Sequence, residues 1–123
     1  MNYATNQSIF IQIADRICDR VLAGEYKADE RIPSIRELAV EMEVNPNTVM
    51  RSYERLQHYN ILYNKRGIGY FISAEAEQQI RHMRHNQFIE EVLPAVFKEM
   101  NLLGVGIDEL TKAYKEYNIN LSV

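Results

Sequence analysis

The stretch VNPNTVMRSYERL, residues 44–56, carries the signals that decide the fold of the first half of the chain. Asn45 belongs to the residue types that favour the N-cap of a helix, and Pro46 suits the first helical position. The pair therefore predicts a helix that starts here and extends to about residue 59. By helical periodicity, the residues on its buried face are Val49, Ser52, Tyr53 and Leu56.

The opposite face of this helix is polar. Asn47 and Arg51 project from it near the N-terminal end, with Thr48 and Arg55 beside them. An asparagine side chain can pair with adenine and an arginine with guanine, while threonine can bind a phosphate or contact a thymine methyl group. The N–H groups at a helix N-terminus also attract phosphate. The helix is therefore predicted to read DNA as the second helix of a helix-turn-helix.

Two amphipathic helices are predicted before it. Apolar residues at 9, 13, 17 and 21 recur every four positions, which predicts a helix over residues 8–23 that ends at Gly24. Ser34 and Glu37 form the capping-box pattern S-x-x-E, which predicts a helix over residues 34–42. The short connection to the next helix fits a helix-turn-helix. The expected buried residues of the second helix are Ile35, Leu38, Ala39 and Met42.

A β-hairpin is predicted after the third helix. Residues 61–63 and 70–72 favour strands, and the segment between them, with the sequence NKRGIG, is a basic turn. A basic loop that follows a recognition helix is typical of a wing. Gly67 allows the backbone to approach a phosphate or to enter the minor groove. We expect Lys65 and Arg66 in this wing to contact DNA.

The order of three motifs resembles the winged-helix domain of GntR-type bacterial transcription regulators. The motifs are Ile-Pro-Ser-x-Arg-Glu-Leu-Ala at residues 32–39, Val-Asn-Pro-Asn-Thr-Val at residues 44–49 and Gly-x-Gly-x-Phe at residues 67–71. The chain is also similar to the YtrA subgroup, in which Asn-Pro-Asn-Thr occurs with a short C-terminal tail. Geometry and the resemblance together imply one set of DNA-binding residues. They are Ser34, Arg36, Asn45, Asn47, Thr48, Arg51, Lys65, Arg66 and Gly67.

The chain is predicted to divide into a winged-helix domain, residues 1–73, and a helical tail, residues 74–123. The helical pattern of the tail runs to Gly104, with a kink expected at Pro94, and a last helix is expected over residues 107–117. The tail is too short to enclose a metabolite pocket alone, and its apolar stripe would form a large exposed patch on a monomer. A homodimer interface is therefore predicted. Its expected residues are Phe88, Val92, Val96, Phe97, Leu103 and Tyr114.

The alternative for the tail is that it folds back on its own winged domain. A two-fold dimer, in contrast, would hold two recognition helices roughly 34 Å apart, one turn of DNA, on a palindromic operator. The fold class is predicted as mainly α with a small β-hairpin wing, a winged helix-turn-helix followed by two dimerising helices. The resemblance implies operator occupancy, most often repression, and control of a neighbouring transporter operon. The sequence does not identify an effector ligand.

Composition is that of a soluble globular protein, with 46% hydrophobic and 25% charged residues among 123. No apolar run is long enough to span a bilayer, and no signal-peptide pattern is present at the start. The net charge of −3 hides a local excess of positive charge, since in residues 44–72 the arginines and lysines outnumber a lone acidic residue, Glu54. The single cysteine, Cys18, cannot form an internal disulfide, which is typical of a protein in the reducing cytoplasm.

The sequence gives little support for an enzyme or a metal-binding protein. The paired glycines of the predicted wing lie inside a hairpin, so they do not form the phosphate loop of an enzyme. His82 and His85 could share a metal ion, but two ligands make a poor site, and no metal or cofactor is expected. The stronger alternative is a winged helix that binds another protein, although its outward residues are polar. Arg36 could also pair with Glu37 or Glu41 instead of DNA.

Overall fold

The computed structural model describes residues 8–122, in which helices predominate and one antiparallel hairpin forms the sheet. This confirms the predicted fold class, a mainly helical winged helix-turn-helix. By its contacts the chain divides into two compact units, Met1–His85 and Asn86–Val123. The elements are α1 (Ile9–Leu22), α2 (Ile35–Met42), α3 (Pro46–His58), β1 (Leu62–Lys65), β2 (Gly69–Ile72), α4 (Ala76–Gln87), a π-helical turn (Phe88–Val92), α5 (Leu93–Leu103) and α6 (Ile107–Leu121).

A sharp turn joins α2 to α3. The helix α2 ends at Glu43, whose φ of 56° lies in the left-handed region, and the Val44 N–H then donates to the Ala39 carbonyl at 3.0 Å. This left-handed residue reverses the chain and satisfies a carbonyl that the helix end would otherwise leave without a partner. The chain reaches the Asn45 cap of α3 directly afterwards, which confirms the predicted short connection.

The core of the first unit forms around α3. Its predicted buried residues, Val49, Ser52, Tyr53 and Leu56, are all fully buried. Of the expected core residues of α2, Leu38 and Ala39 are buried, while Ile35 and Met42 are half-buried against the same cluster. The helix α4 adds apolar side chains to this cluster. They are Ala76, Ile80 and Met83.

Those α4 residues explain where the first compact unit ends. Each buried side chain of the size of isoleucine or methionine stabilises the fold by about 1.5–3 kcal/mol relative to exposure. Arg84 adds polar contacts, with its guanidinium donating to Asp19 Oδ1 at 2.8 Å and to the Asp15 carbonyl at 3.3 Å. The packed unit therefore continues to His85, past residue 73, at which the sequence pattern ends the winged-helix domain.

The wing is a sheet with one more segment than the sequence predicts. In the hairpin, Tyr63 pairs with Phe71 and Lys65 with Gly69. Residues 30–32 run antiparallel along the free side of β2, where the Ile32 N–H donates to the Tyr70 carbonyl at 2.9 Å. This segment is short and contains charged residues, so its sequence gives no strand pattern. The extended conformation of residues 30–32 results from their pairing with β2 and not from their own sequence.

A π-helical turn interrupts the helical run just before Pro94, where the sequence predicts a kink. The π-helical turn Phe88–Val92 precedes Pro94, which lies in the first turn of α5. Proline has no N–H to donate, and its ring would clash with the carbonyl four residues earlier in a regular helix, so the wider π turn relieves both problems. The last helix, α6, extends to Leu121, beyond the predicted end at residue 117.

We predict that removal of the Tyr53 hydroxyl will destabilise the first unit. This hydroxyl donates to the Pro33 carbonyl at 2.6 Å, and Tyr53 is fully buried. Tyr53→Phe should lower the free energy of unfolding by about 1–3 kcal/mol, because it leaves a polar group without its partner. Urea titration followed by circular dichroism measures the change.

Tyr59→Phe is the matched control, since Tyr59 is only half-buried. Its ring contacts Arg55 and His58, and among the described residues its hydroxyl forms no hydrogen bond across the core. It should change stability by less than about 0.5 kcal/mol. Equal effects of the two variants would contradict the structural role of the Tyr53 hydroxyl.

Candidate nucleic-acid interface

The start of α3 is built by its cap. The Asn45 side-chain oxygen accepts from the Asn47 N–H at 2.8 Å, and the Thr48 N–H donates to the Asn45 carbonyl at 3.0 Å. Asn45 therefore uses its amide oxygen within the cap. Asn47 is exposed and Thr48 is half-buried, and both lie in the first turn of the helix.

Arg51 lies one turn further along α3 and is held by a contact that sequence reasoning missed. Its guanidinium carbon lies 4.2 Å from the ring centroid of Phe10 in α1. The Phe10 carbonyl in turn accepts from the Ser52 hydroxyl at 2.6 Å, so α1 is fixed directly to α3 at this point. A cation stacked on an aromatic face has fewer accessible conformations, which lowers the entropy cost of a later contact with DNA.

The N-terminus of α2 contains the predicted capping box. The Ser34 hydroxyl accepts from the Glu37 N–H at 3.1 Å, and the Ser34 N–H donates to Glu37 Oε1 at 3.0 Å. The backbone and side-chain hydrogen bonds of Ser34, together with the charge of Arg31, hold the pKa of Glu37 below its ordinary value. Ser34, predicted to contact DNA, therefore has a structural role as a cap.

Arg36 is exposed in the first turn of α2. The sequence left two alternatives for it, DNA or a neighbouring carboxylate. Glu37 binds Ser34, and Glu41 pairs with Arg20 at 3.2 Å. Within residues 8–122, no carboxylate lies within 4.0 Å of Arg36 as a salt-bridge partner. Arg36 is thus available to an external anion.

The wing carries its basic residues at and beside its tip. Arg66 and Gly67 are exposed in the turn, and the φ of 80° at Gly67 lies in the left-handed region that favours glycine. The Lys65 ammonium lies 4.7 Å from the centroid of the Phe71 ring, which stacks on Tyr63 with centroids 5.5 Å apart. The aromatic pair supports the stem of the wing below its cations.

Charge is distributed unequally over the first unit. The arginines with carboxylate partners are Arg20, Arg81 and Arg84, and none of them belongs to the predicted DNA-binding set. The cations of that set that have no salt bridge in the described part of the chain are Arg36, Arg51, Lys65 and Arg66. Binding of a polyanion requires cations that can contact its phosphates, and each such contact releases counterions.

Residues 8–122 contain no arrangement of side chains suited to metal binding or to thiol chemistry. No group of three or more histidine, cysteine or acidic side chains there is arranged to hold a metal ion. Cys18 is buried, and burial raises the pKa of its thiol to about 12, so the reactive thiolate is scarce at neutral pH. No helix of the described residues is long and apolar enough to cross a membrane.

Comparison with known proteins agrees with this geometry. A family model described as bacterial regulatory proteins, gntR family, matches residues 11–72. The chain belongs to the GntR family. The match covers most of α1, the helix-turn-helix and the wing, and the last two carry the exposed polar and basic residues of the predicted set. This confirms the resemblance given by the three sequence motifs.

Full-length relatives extend the similarity through the tail. The HTH-type transcriptional regulator YhcF of Bacillus subtilis is 33% identical over 94% of this chain and 93% of its own length. The HTH-type transcriptional repressor YtrA of the same organism is 30% identical over 92% and 86%. The crystal structure of a GntR-family regulator from Bacteroides thetaiotaomicron is 46% identical, with a TM-score of 0.77 over 93% of this chain and 99% of that one. All three are named as transcription regulators.

We predict that Ser34→Ala will destabilise the protein. Loss of the capping hydroxyl leaves the Glu37 N–H without its acceptor and should cost about 1 kcal/mol, within a range of about 0.5–2. Thermal unfolding measures it. Ser8→Ala is the control, because Ser8 caps α1 without a side-chain hydrogen bond and should tolerate the change. A Ser34→Ala variant as stable as Ser8→Ala would contradict the capping role.

Proposed function

We propose that this GntR regulator binds a palindromic DNA operator as a homodimer and represses transcription by occupying it. The observation that carries the proposal is the two-sided character of α3. One side is fully buried, while Asn47 and Arg51 are exposed on the other, close to a wing whose cations have no carboxylate partner in the described residues.

Five of the predicted residues have a direct chemical role in this proposal. Asn47 and Arg51 read base edges in the major groove, where amide and guanidinium groups can form paired hydrogen bonds. Thr48 and the N-terminal N–H groups of α3 bind phosphate. Arg36 holds a phosphate beside α2, and Arg66 reaches the backbone or the minor groove from the wing.

The proposed dimer rests on the exposure of the tail. Among residues 86–122 none is buried, although many are apolar. Phe88 and Phe97 are about half exposed, and Leu103 and Tyr114 are 69% and 66% exposed. A second copy of the chain would cover these side chains, with Val92 and Val96 at the centre of the stripe. A two-fold dimer also matches a palindromic site.

Repression is proposed because operator occupancy blocks polymerase without any further device. The B. subtilis relative YtrA is itself named a repressor. The likeness to the YtrA subgroup extends the proposal to a neighbouring operon that encodes a transporter, with the bacterial cytoplasm as the place of action. DNA from upstream of the protein's own gene is therefore the first probe for an operator.

We predict that wild-type protein will bind this upstream duplex more tightly than a scrambled duplex, with an affinity that falls steeply as salt rises. Fluorescence anisotropy at several salt concentrations measures both properties. Arg51→Ala and Asn47→Ala should each weaken binding to the upstream duplex by about 1–3 kcal/mol and reduce the preference for it.

Arg81→Ala is the control for these variants, since Arg81 already pairs with Glu77 at 2.7 Å. It should bind DNA like the wild type. If the wild-type protein binds neither duplex even at low salt, the DNA-binding proposal fails, and the protein-binding alternative for this winged helix gains support.

We predict that Phe97→Asp will shift the protein toward a monomer. A carboxylate in the apolar stripe would lose its hydration if the stripe were covered by a second chain. Light scattering coupled to size exclusion should give twice the 14.4 kDa chain mass for the wild type and a lower mass for the variant.

Val40→Asp is the matched control, because Val40 is 78% exposed on α2 in the first unit. It should leave the mass unchanged. A wild-type mass equal to one chain at micromolar concentration would contradict the dimer.

A further inference from the structure

The outer face of the wing contains a cation that the sequence analysis did not single out. Arg31 forms an antiparallel bridge with Phe71, which pairs in turn with Tyr63. Side chains at directly paired positions lie on the same face of a sheet, so these three form one row. The opposite face carries Ile32 and Ile72, which are buried in the core. Arg31 therefore lies on the face turned away from the core.

The Arg31 side chain extends across β2 at Gly69. A Cβ atom built on Gly69 would lie 2.8 Å from Arg31 Nε, closer than real Cβ atoms approach another atom, and 3.5 Å from Arg31 Cζ. The absence of a side chain at residue 69 thus leaves the space that the guanidinium occupies. The φ of 144° at Gly69 also favours glycine, so two separate constraints act at this position.

Lys65 approaches the same place from the other edge of the sheet. It pairs with Gly69 in the hairpin register, and its ammonium lies 4.7 Å from the Phe71 ring centroid. The middle strand thus has a position without a side chain, with one cation from each neighbouring strand beside it. This arrangement forms an open, positively charged surface next to the exposed Arg66 of the wing tip.

In residues 8–122 no carboxylate forms a salt bridge with this surface, although the charge of Arg31 acts on Glu37 at longer range. Asp29 accepts from the Tyr63 hydroxyl at 3.1 Å, and Glu37 binds the Ser34 N–H. Within residues 8–122, neither Arg31 nor Lys65 has a carboxylate within salt-bridge distance. A guanidinium fork matches the oxygen atoms of a phosphate, and the ammonium of lysine adds a second positive charge.

We propose that Arg31 is a further DNA-binding residue, and that its guanidinium, held across Gly69, binds a backbone phosphate together with Lys65. This inference rests on the proposed DNA-binding function. A phosphate contact carries no base information, so Arg31 fixes the wing on the duplex without selecting sequence. It extends the contact surface from the tip of the wing to the strand segment that precedes α2.

The test uses the full chain and the same anisotropy titration with the upstream and scrambled duplexes. Arg31→Gln should weaken binding to both duplexes by the same factor, about tenfold or less, and reduce the slope of log K against log salt by about 0.9. Arg31→Lys should keep the slope and recover part of the affinity. Arg81→Ala again serves as the control, and thermal unfolding confirms that each variant is folded.

A double-mutant cycle tests the role of Gly69. Gly69→Ala should weaken DNA binding in the wild-type background, because the new methyl group displaces the guanidinium. In the Arg31→Gln background it should weaken binding much less. An equal loss in both backgrounds would show that only the backbone conformation at residue 69 matters, and would overturn the proposed link to Arg31.

The remaining outcomes separate this inference from the proposed function. If Arg66→Ala weakens binding while Arg31→Gln changes neither affinity nor salt slope, Arg31 is not a DNA contact, although DNA binding stands. If Arg31→Gln weakens binding to the upstream duplex alone, Arg31 contacts a base and the phosphate assignment is wrong. If the wild type binds neither duplex, both proposals fail.

Discussion

The burial of Tyr53 is the constraint on which the arrangement of the DNA-facing elements depends. Its ring lies against Tyr70 of β2 with centroids 4.8 Å apart, and its hydroxyl donates to the Pro33 carbonyl just before α2. One side chain of α3 thus contacts both the strand that forms the wing and the segment that starts α2. Because the residue has no exposed surface, a movement of α3 relative to either neighbour would open a cavity or leave a polar group unpaired.

A second set of polar contacts separates structural cations from available ones. Arg84 joins α4 to α1 through Asp19 and the Asp15 carbonyl, and Arg20 holds Tyr26 and Glu41. These arginines join separate elements of the first unit. Arg51 and Arg55 of α3 and Lys65 of the wing contact aromatic rings and have no salt bridge in the described residues, as Arg51 shows with Phe10. A ring restricts a cation without neutralising it, so the charge remains available to a phosphate or a base.

Much of the fold was predictable because its signals are local. The capping box of α2, the Asn-Pro start of α3 and the four-residue apolar period of α1 each depend on neighbouring residues, and the structure places all three helices where these signals predict them. The wing segment at Arg31 was not predictable in this way. Its extended conformation comes from pairing with β2, whose residues lie far along the chain, and no alternating pattern marks it.

The sequence by itself determined the family, the approximate boundaries of α1, α2 and α3 and which side of α3 is polar, since periodicity and capping are properties of short stretches. Only the tertiary structure decided which charged groups are paired. It showed Glu41 paired with Arg20 rather than with Arg36, Arg51 stacked on Phe10, and Arg31 lying across Gly69. Such contacts join residues that are distant in sequence, and folding alone brings them within a few ångströms of one another.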